Sequence, residues 1–215
     1  VAKLKIYAFP DLVLAQKAAP IARVEKSMHK LADDMLETMY WAPGIGLAAN
    51  QVGILERVIV LDTEYDYEEL EEGETPPAGA EVVSNGIITN RKPRIVINPE
   101  IIYREGSILF SEGCLSVPEY NAEVKRSAKI KLKYQDIDGV SRELSADGLL
   151  AVAIQHEIDH LDGRLFIDRL SPLKKEVVKK RLRVERKQRE EDDDLESLLK
   201  SPRAKPRAKK KSKGF

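Results

Sequence analysis

The chain has 215 residues, 42% hydrophobic and 33% charged, enough for one domain with a sizeable core. Its formal net charge of zero hides two opposed parts: residues 1–170 carry 19 Lys and Arg against 28 Asp and Glu, net −9, and residues 171–215 carry 17 against 8, net +9. A single cysteine, Cys114, excludes an intrachain disulfide; no run reaches the ~18 apolar residues of a membrane helix and none resembles a signal peptide, so a soluble, cytoplasmic protein without a membrane partner is expected.

From Pro20, PIARVEKSMHKLADDMLETMYWAPG spaces Ile21, Val24, Met28, Leu31, Met35, Leu36 and Met39 at three- and four-residue intervals as far as Pro43-Gly44. This predicts an N-terminal amphipathic helix of about six turns. The three methionines read as core filler. His29 has no acidic or cysteine neighbour at ligand spacing and is expected on the surface. GIGLAANQVG, residues 44–53, is a glycine-rich turn that lets backbone approach a ligand closely, with Gln51 as a side-chain donor.

RVIVLD, 57–62, is β-branched and reads as a buried strand. Eight acidic residues and no basic one follow between Asp62 and Glu74, then a Pro/Gly cluster. Residues from about 62 to 90 are expected to form a surface insertion in the form of a solvated loop. RIVINPEII, GSILFSEG, AKIKLKYQDIDG and SRELSA then read as strands, with a hairpin turn at Asp138-Gly139. DGLLAVAIQHEIDHLDG is apolar and rich in Leu and Ala, and predicts a buried helix ending near Gly163. The class is α+β: antiparallel β-sheets packed around a buried helix in the C-terminal half, with the amphipathic helix at the N-terminus. Residues 1–170 are the expected catalytic domain and 171–200 a charged helical extension with a narrow stripe of Leu173, Val177, Val178 and Leu182. Residues 201–215, SPRAKPRAKKKSKGF, read as a disordered basic tail.

The chemistry-bearing motif is His156-Glu157-Ile158-Asp159-His160. On a helix, residues 156 and 160 lie about 40° apart, so both imidazoles can face one metal, with Glu157 beside it and free to act on water. Within the zinc metalloproteases the metzincin pattern would place a third histidine where this chain has Phe166, and no histidine lies downstream. A thermolysin-like glutamate would fall in the charged extension. The third ligand is therefore sought upstream, where EGCLSVP, residues 112–118, holds the only cysteine. A thiolate ligand from Cys114 is the economical solution.

The three motifs GIGLAANQ, EGCLS and QHEIDH, in this order, resemble the peptide deformylases over roughly residues 1–170, the acidic insertion excepted. The resemblance implies a hydrolase that removes the formyl group from the N-terminal formylmethionine of nascent polypeptides. It implies that Cys114, His156 and His160 bind one divalent metal, iron(II) in the family, with zinc, nickel or cobalt able to replace it. Glu157 would be the general base and acid, and Gln51 with the backbone N–H of Leu115 would form the oxyanion hole. Ile45, Gly46 and Gly113 would hydrogen-bond the substrate backbone. Phe110, Leu149, Val152 and the His156 ring would line the pocket for the methionine side chain. Glu112 and Arg126 are read as an ion pair steadying the 112–116 segment. The composition of the basic tail suggests contact with nucleic acid, and the resemblance implies that the partner is the ribosome, through its RNA. Two other readings stand beside this one: a zinc peptidase cutting internal bonds, and a ribosome- or RNA-associated protein whose metal is structural.

Overall fold

The computed structural model describes residues 2–71, 74–78, 80–84 and 86–200. The elements run α1 (Lys26–Trp41), β1 (Gly46–Ala48), β2 (Val58–Leu61), β3 (Asp66–Glu69), β4 (Glu81–Val83), β5 (Gly86–Thr89), β6 (Arg94–Glu105), β7 (Ile108–Cys114), β8 (Val117–Arg126), β9 (Lys129–Gln135), β10 (Ser141–Asp147), α2 (Gly148–Leu161) and α3 (Pro172–Lys200). All strand pairs among them are antiparallel, in three sheets ordered β1-β2-β6-β9-β10, β3-β5-β4 and β7-β8. The architecture is thus a mixture of helices and antiparallel sheets.

The five-stranded sheet and α2 share one apolar core. Ile59, Leu61, Val96, Ile130 and Leu132 from the strands meet Ala151, Ile154 and Leu161 from the helix. β9 shows the alternation a half-covered sheet requires, with Ile130 and Leu132 buried and Lys129, Lys131 and Lys133 exposed. Helix α2, by contrast, is buried nearly all round, which explains its run of Leu, Ala, Val and Ile.

Helix α1 begins at Lys26, six residues later than its apolar spacing predicts. Ile21 and Val24 still pack against the core, but Asn98 holds Ile21 in a two-way clasp, accepting from its N–H at 2.8 Å and donating to its carbonyl at 2.7 Å. A segment whose backbone is bonded to a side chain of β6 cannot join the helical ladder.

The acidic insertion departs from the expected loop. Residues 66–69, 81–83 and 86–89 form the small sheet, whose Val83 and Ile88 are buried against Met28, Met35 and Tyr40. Its two ends close on one fully buried carboxylate: Asp62 accepts from the Tyr40 hydroxyl, the Lys92 N–H and the Glu64 N–H at 2.6–2.9 Å. Satisfying a buried carboxylate with three donors fixes where the insertion leaves and re-enters the core.

Strand β8 has no place among the predicted elements; it pairs with β7 through Ile108–Arg126 to Glu112–Ala122. The charged extension is not a free helix either. Val178 and Leu182 are buried with Leu14, Leu165 and Phe166, whereas Leu173 and Val177 from the same predicted stripe are exposed. Arg186 bonds the Asp11 carboxylate and the Ala8 carbonyl, and Lys179 bonds Asp168 at 2.7 Å. The predicted disordered tail, 201–215, lies outside the described residues. No helix among those described is long and apolar enough to cross a membrane.

Candidate active site

Three elements deliver the site. Strand β7 ends on Cys114, α2 carries His156, Glu157 and His160 on its buried length, and the 3-10 turn Ala49–Val52 presents Gln51. Cys114 Sγ lies 3.2 Å from His160 Nε2, which lies 3.2 Å from His156 Nε2, and the three ligand atoms all fall within 4.8 Å of one another. Ligands at about 2.3 Å (sulfur) and 2.1 Å (nitrogen) around one tetrahedral ion stand about 3.5 Å apart, so the trio is within a few tenths of an ångström of a metal site's dimensions. His160 is exposed by only 1%.

Charge and hydrogen bonding favour a cation at this point. His156 Nδ1 contacts Glu112 Oε2 at 2.8 Å, which leaves Nε2 directed at the other two ligand atoms. Burial disfavours a charge on His156, but the Cys114 and Glu112 contacts overcome it and raise its pKa well above the usual value. The negative neighbours that favour a proton there favour a metal ion equally. His160 is held neutral by burial and by the charges of His156 and Arg126.

Glu157 stands beside the trio. Its Oε2 is buried without a hydrogen-bond partner among the described residues, and burial, opposed by the charge of His156 and assisted by that of Glu112, pushes its carboxyl up to about 7. Gly46 makes room for it: a Cβ there would fall 2.5 Å from Glu157 Oε1. Gln51 is fixed by its own carbonyl oxygen, which accepts the Ala48 N–H at 2.8 Å. Its amide nitrogen thereby points at Ser116 Oγ, 3.1 Å, and at Cys114 Sγ, 3.6 Å.

A cleft of about 530 Å³ opens over these groups. Ile45, Gly46 and Gln51 form one lip, Gly113 and Leu115 the other. Phe110, Leu149, Val152 and the His156 ring line its apolar end. The residues expected to bind metal or substrate or to carry the reaction thus all border the cleft except the buried His160, and so does Glu112, whereas its partner Arg126 does not.

Behind the site runs a buried charge network that the sequence shows only in part. The Arg126 guanidinium, 3% exposed, donates to both Glu112 oxygens at 2.6 and 2.8 Å and to Asp159 Oδ2 at 2.5 Å. Burial alone would raise Glu112, yet Arg126 and His156 hold its carboxyl at about 2. Asp159 also receives both arms of Arg169. Phe166 stacks on His156, ring centroids 6.0 Å apart, and Tyr120 stacks on Phe166. Asp159, Arg169, Ser116 and Phe166 were not legible beforehand, since each acts through a neighbour distant in sequence.

A cysteine sulfur and two imidazoles gathered beside a buried glutamate, in a cleft of a mixed helix and antiparallel-sheet fold, define the class of metal-dependent hydrolases. A family model for polypeptide deformylase matches residues 3–176. The peptide deformylase of Syntrophobacter fumaroxidans is 47% identical over 178 residues, covering 83% of this chain and 92% of that one. That of Bartonella tribocorum is 42% identical over 191 residues, covering 88% and 95%. Among solved structures, a peptide deformylase from Legionella pneumophila aligns with TM-score 0.68 and 34% identity over 94% of this chain and 100% of the other. One from Ehrlichia chaffeensis in complex with actinonin gives TM-score 0.70 and 34% identity over 86% and 98%. The chain belongs to the peptide deformylase family, metal-dependent hydrolases that remove the formyl group from nascent peptides. The readings as a peptidase of internal bonds, or as an RNA-associated protein with a structural metal, find no support in these relatives.

Replacing Arg126 by Ala removes the guanidinium shared by two buried carboxylates and leaves Glu112 with His156 alone and Asp159 with Arg169 alone, a change that costs about 3–5 kcal/mol. Urea denaturation is expected to show a loss of that size, together with weaker metal retention on dialysis. Unchanged stability and metal content would remove the network from this account.

Proposed function

We propose that the residues at the cleft divide the deformylation reaction among themselves in the manner set out below. One observation carries the reading: the Cys114 thiol and two Nε2 atoms converge beside a buried Glu157 oxygen that has no protein partner, at the floor of an open cleft. Cys114, His156 and His160 would hold the metal, for which iron(II) is the family's choice and zinc, nickel or cobalt a replacement; thiolate and imidazole donors suit this group of ions. When bound, the ion supplies Lewis acidity and lowers the pKa of water towards neutrality.

The substrate main chain lies between two strand edges, hydrogen-bonded by Ile45, Gly46 and Gly113. Its methionine side chain enters the apolar end of the cleft among Phe110, Leu149, Val152 and the His156 ring. Only the formyl group then reaches Glu157. Glu157 takes a proton from the attacking water, whose oxygen forms a bond to the formyl carbon. Negative charge collects on the formyl oxygen, where the Gln51 amide and the Leu115 N–H donate to it; one such donor is worth about 3 kcal/mol of barrier. Glu157 returns the proton to the amine nitrogen as the carbon–nitrogen bond breaks. Formate and a free N-terminus leave. A carboxyl near pH 7 in its affinity for protons is suited to both transfers.

Purified protein is expected to release formate from formyl-Met-Ala-Ser and to leave the unformylated peptide intact, and elemental analysis of the same sample identifies the metal. Glu157→Ala should abolish turnover with the metal content unchanged. Loss of metal from that variant would make Glu157 a ligand and end its role as the proton carrier.

Acting on nascent chains places the enzyme in the cytoplasm, near ribosomes. Residues 201–215 carry seven Lys and Arg and no acid, a composition that neutralises phosphates without reading sequence. Because Val178 and Leu182 are part of the core, the deletion that tests this removes residues 201–215 alone. Tripeptide turnover should persist while salt-sensitive co-sedimentation with ribosomes weakens; full co-sedimentation by the shortened protein would reject the contact.

A further inference from the structure

A second cavity, about 290 Å³, lies between the N-terminal segment and α3. Its floor is apolar, built from Ile6, Phe9 and Leu182, and its rim carries Lys5, Arg186 and Arg189 against the single carboxylate of Asp11. It is not remote from the catalytic cleft. Pro118 lines both cavities, and Glu119, which lines the cleft, pairs with Arg189 of the second cavity at 3.9 Å. Glu119 sits in the left-handed region at φ 59°, an unfavourable conformation for a residue with a Cβ. The floor is also bonded to the catalytic shell: the Phe9 N–H donates to the Ser116 carbonyl at 2.8 Å, and Ser116 Oγ holds Gln51.

We infer that this groove is a distal subsite for the downstream part of the formylated peptide, and that it selects substrates carrying carboxylates a few residues after the methionine. Pro118 lies four positions beyond Cys114, at most about 14 Å away, and next to Val117, which pairs with Cys114 across the β7–β8 turn. A substrate strand advancing about 3.3 Å per residue from its formyl end therefore reaches Pro118 by about its fifth residue. There the apolar floor takes a side chain, and a substrate carboxylate replaces Glu119 on Arg189, with Lys5 close by. This inference rests on the deformylase reading of the cleft. The body, net −9 over residues 1–170, attracts cationic peptides in general, while residues 171–215, net +9 and including α3, attract anionic ones. Dependence on one defined distance, and not acidity alone, is therefore what marks the groove. Nucleic acid is a poorer occupant, because Asp11 and Glu119 both stand on its path.

The test uses the full chain and a set of formylated nonapeptide amides beginning Met-Ala-Ser, with Asp-Asp or Lys-Lys placed at positions 4–5, 6–7 or 8–9 and Ala elsewhere. The kcat/KM for the Asp peptide divided by that for the Lys peptide, measured in one preparation, cancels any inactive fraction. The wild type is expected to favour Asp roughly fivefold through KM at one placement in the range 4–7, the effect of about 1 kcal/mol from a partly exposed pair. In Arg189→Glu the ratio should invert at that placement. Formate release from formyl-Met-Ala-Ser, too short to reach the groove, tests the catalytic reading separately. A ratio independent of placement, or one that survives Arg189→Glu, overturns the subsite.

Discussion

The Arg126 guanidinium is the group on which the geometry of this protein turns. It enters from β8 and joins Glu112 of β7 to Asp159 of α2 within a region closed to water. Remove it in thought, and Glu112 keeps only His156 and Asp159 only Arg169, with the buried Glu157 on the same helix as Asp159. Fewer cations then oppose three buried carboxyl groups, and ionising them becomes harder. Arg126, together with His156, holds the Glu112 carboxyl at about 2, and Glu112 bonds the His156 ring, aiming Nε2 at Cys114 and His160. Ligand orientation is thus set two contacts away from the ligand atoms themselves.

The need for that network follows from the topology. β7 and β8 form a sheet of their own, with no ladder to the five-stranded sheet that packs on α2. A two-stranded sheet is marginal by itself. It is held over the helix by the charges at Arg126 and by the apolar contacts of Val117 and Val124 with Leu14, Phe166 and Ile167. Cys114 belongs to the hairpin and the histidines to the helix. Their separation therefore depends on how firmly one is seated on the other.

The parts of this arrangement governed by local periodicity could be read from the residues. Alternating lysines in β9 and the unbroken apolar run of α2 specify element type because each buries a characteristic face. The histidines at 156 and 160 point together for the same helical reason, and the cleft brings the other named residues around them. Three features escaped because distant partners override local pattern. Ile21 and Val24 carry helical spacing but are clasped by Asn98. Val83 and Ile88 lie among acidic and turn residues, and become strand only because the core beside α1 accepts them. VPEYNAEVKR in β8 contains a proline and several charged residues; its meaning lies in Arg126, whose two carboxylate partners come from elsewhere.

Phe166 shows how the site came to need a ligand from another element. It follows α2 at the distance where a longer metalloprotease motif would put a third histidine, and its ring instead stacks on His156 with Tyr120 behind it. The helix and its continuation thus supply two nitrogen ligands and a wall, and the third ligand has to cross from the hairpin. A metal held across two elements binds the docked arrangement and not the separated one, so its binding energy adds to the seating of the hairpin. The same seating forms the lip of the cleft at Gly113 and Leu115. A metal bound by Cys114, His156 and His160 would consequently be coupled to hairpin docking and to the shape of the cleft, and the extension, whose Val178 and Leu182 pack in one cluster with Val117 and Val124 of the hairpin, would belong to that unit.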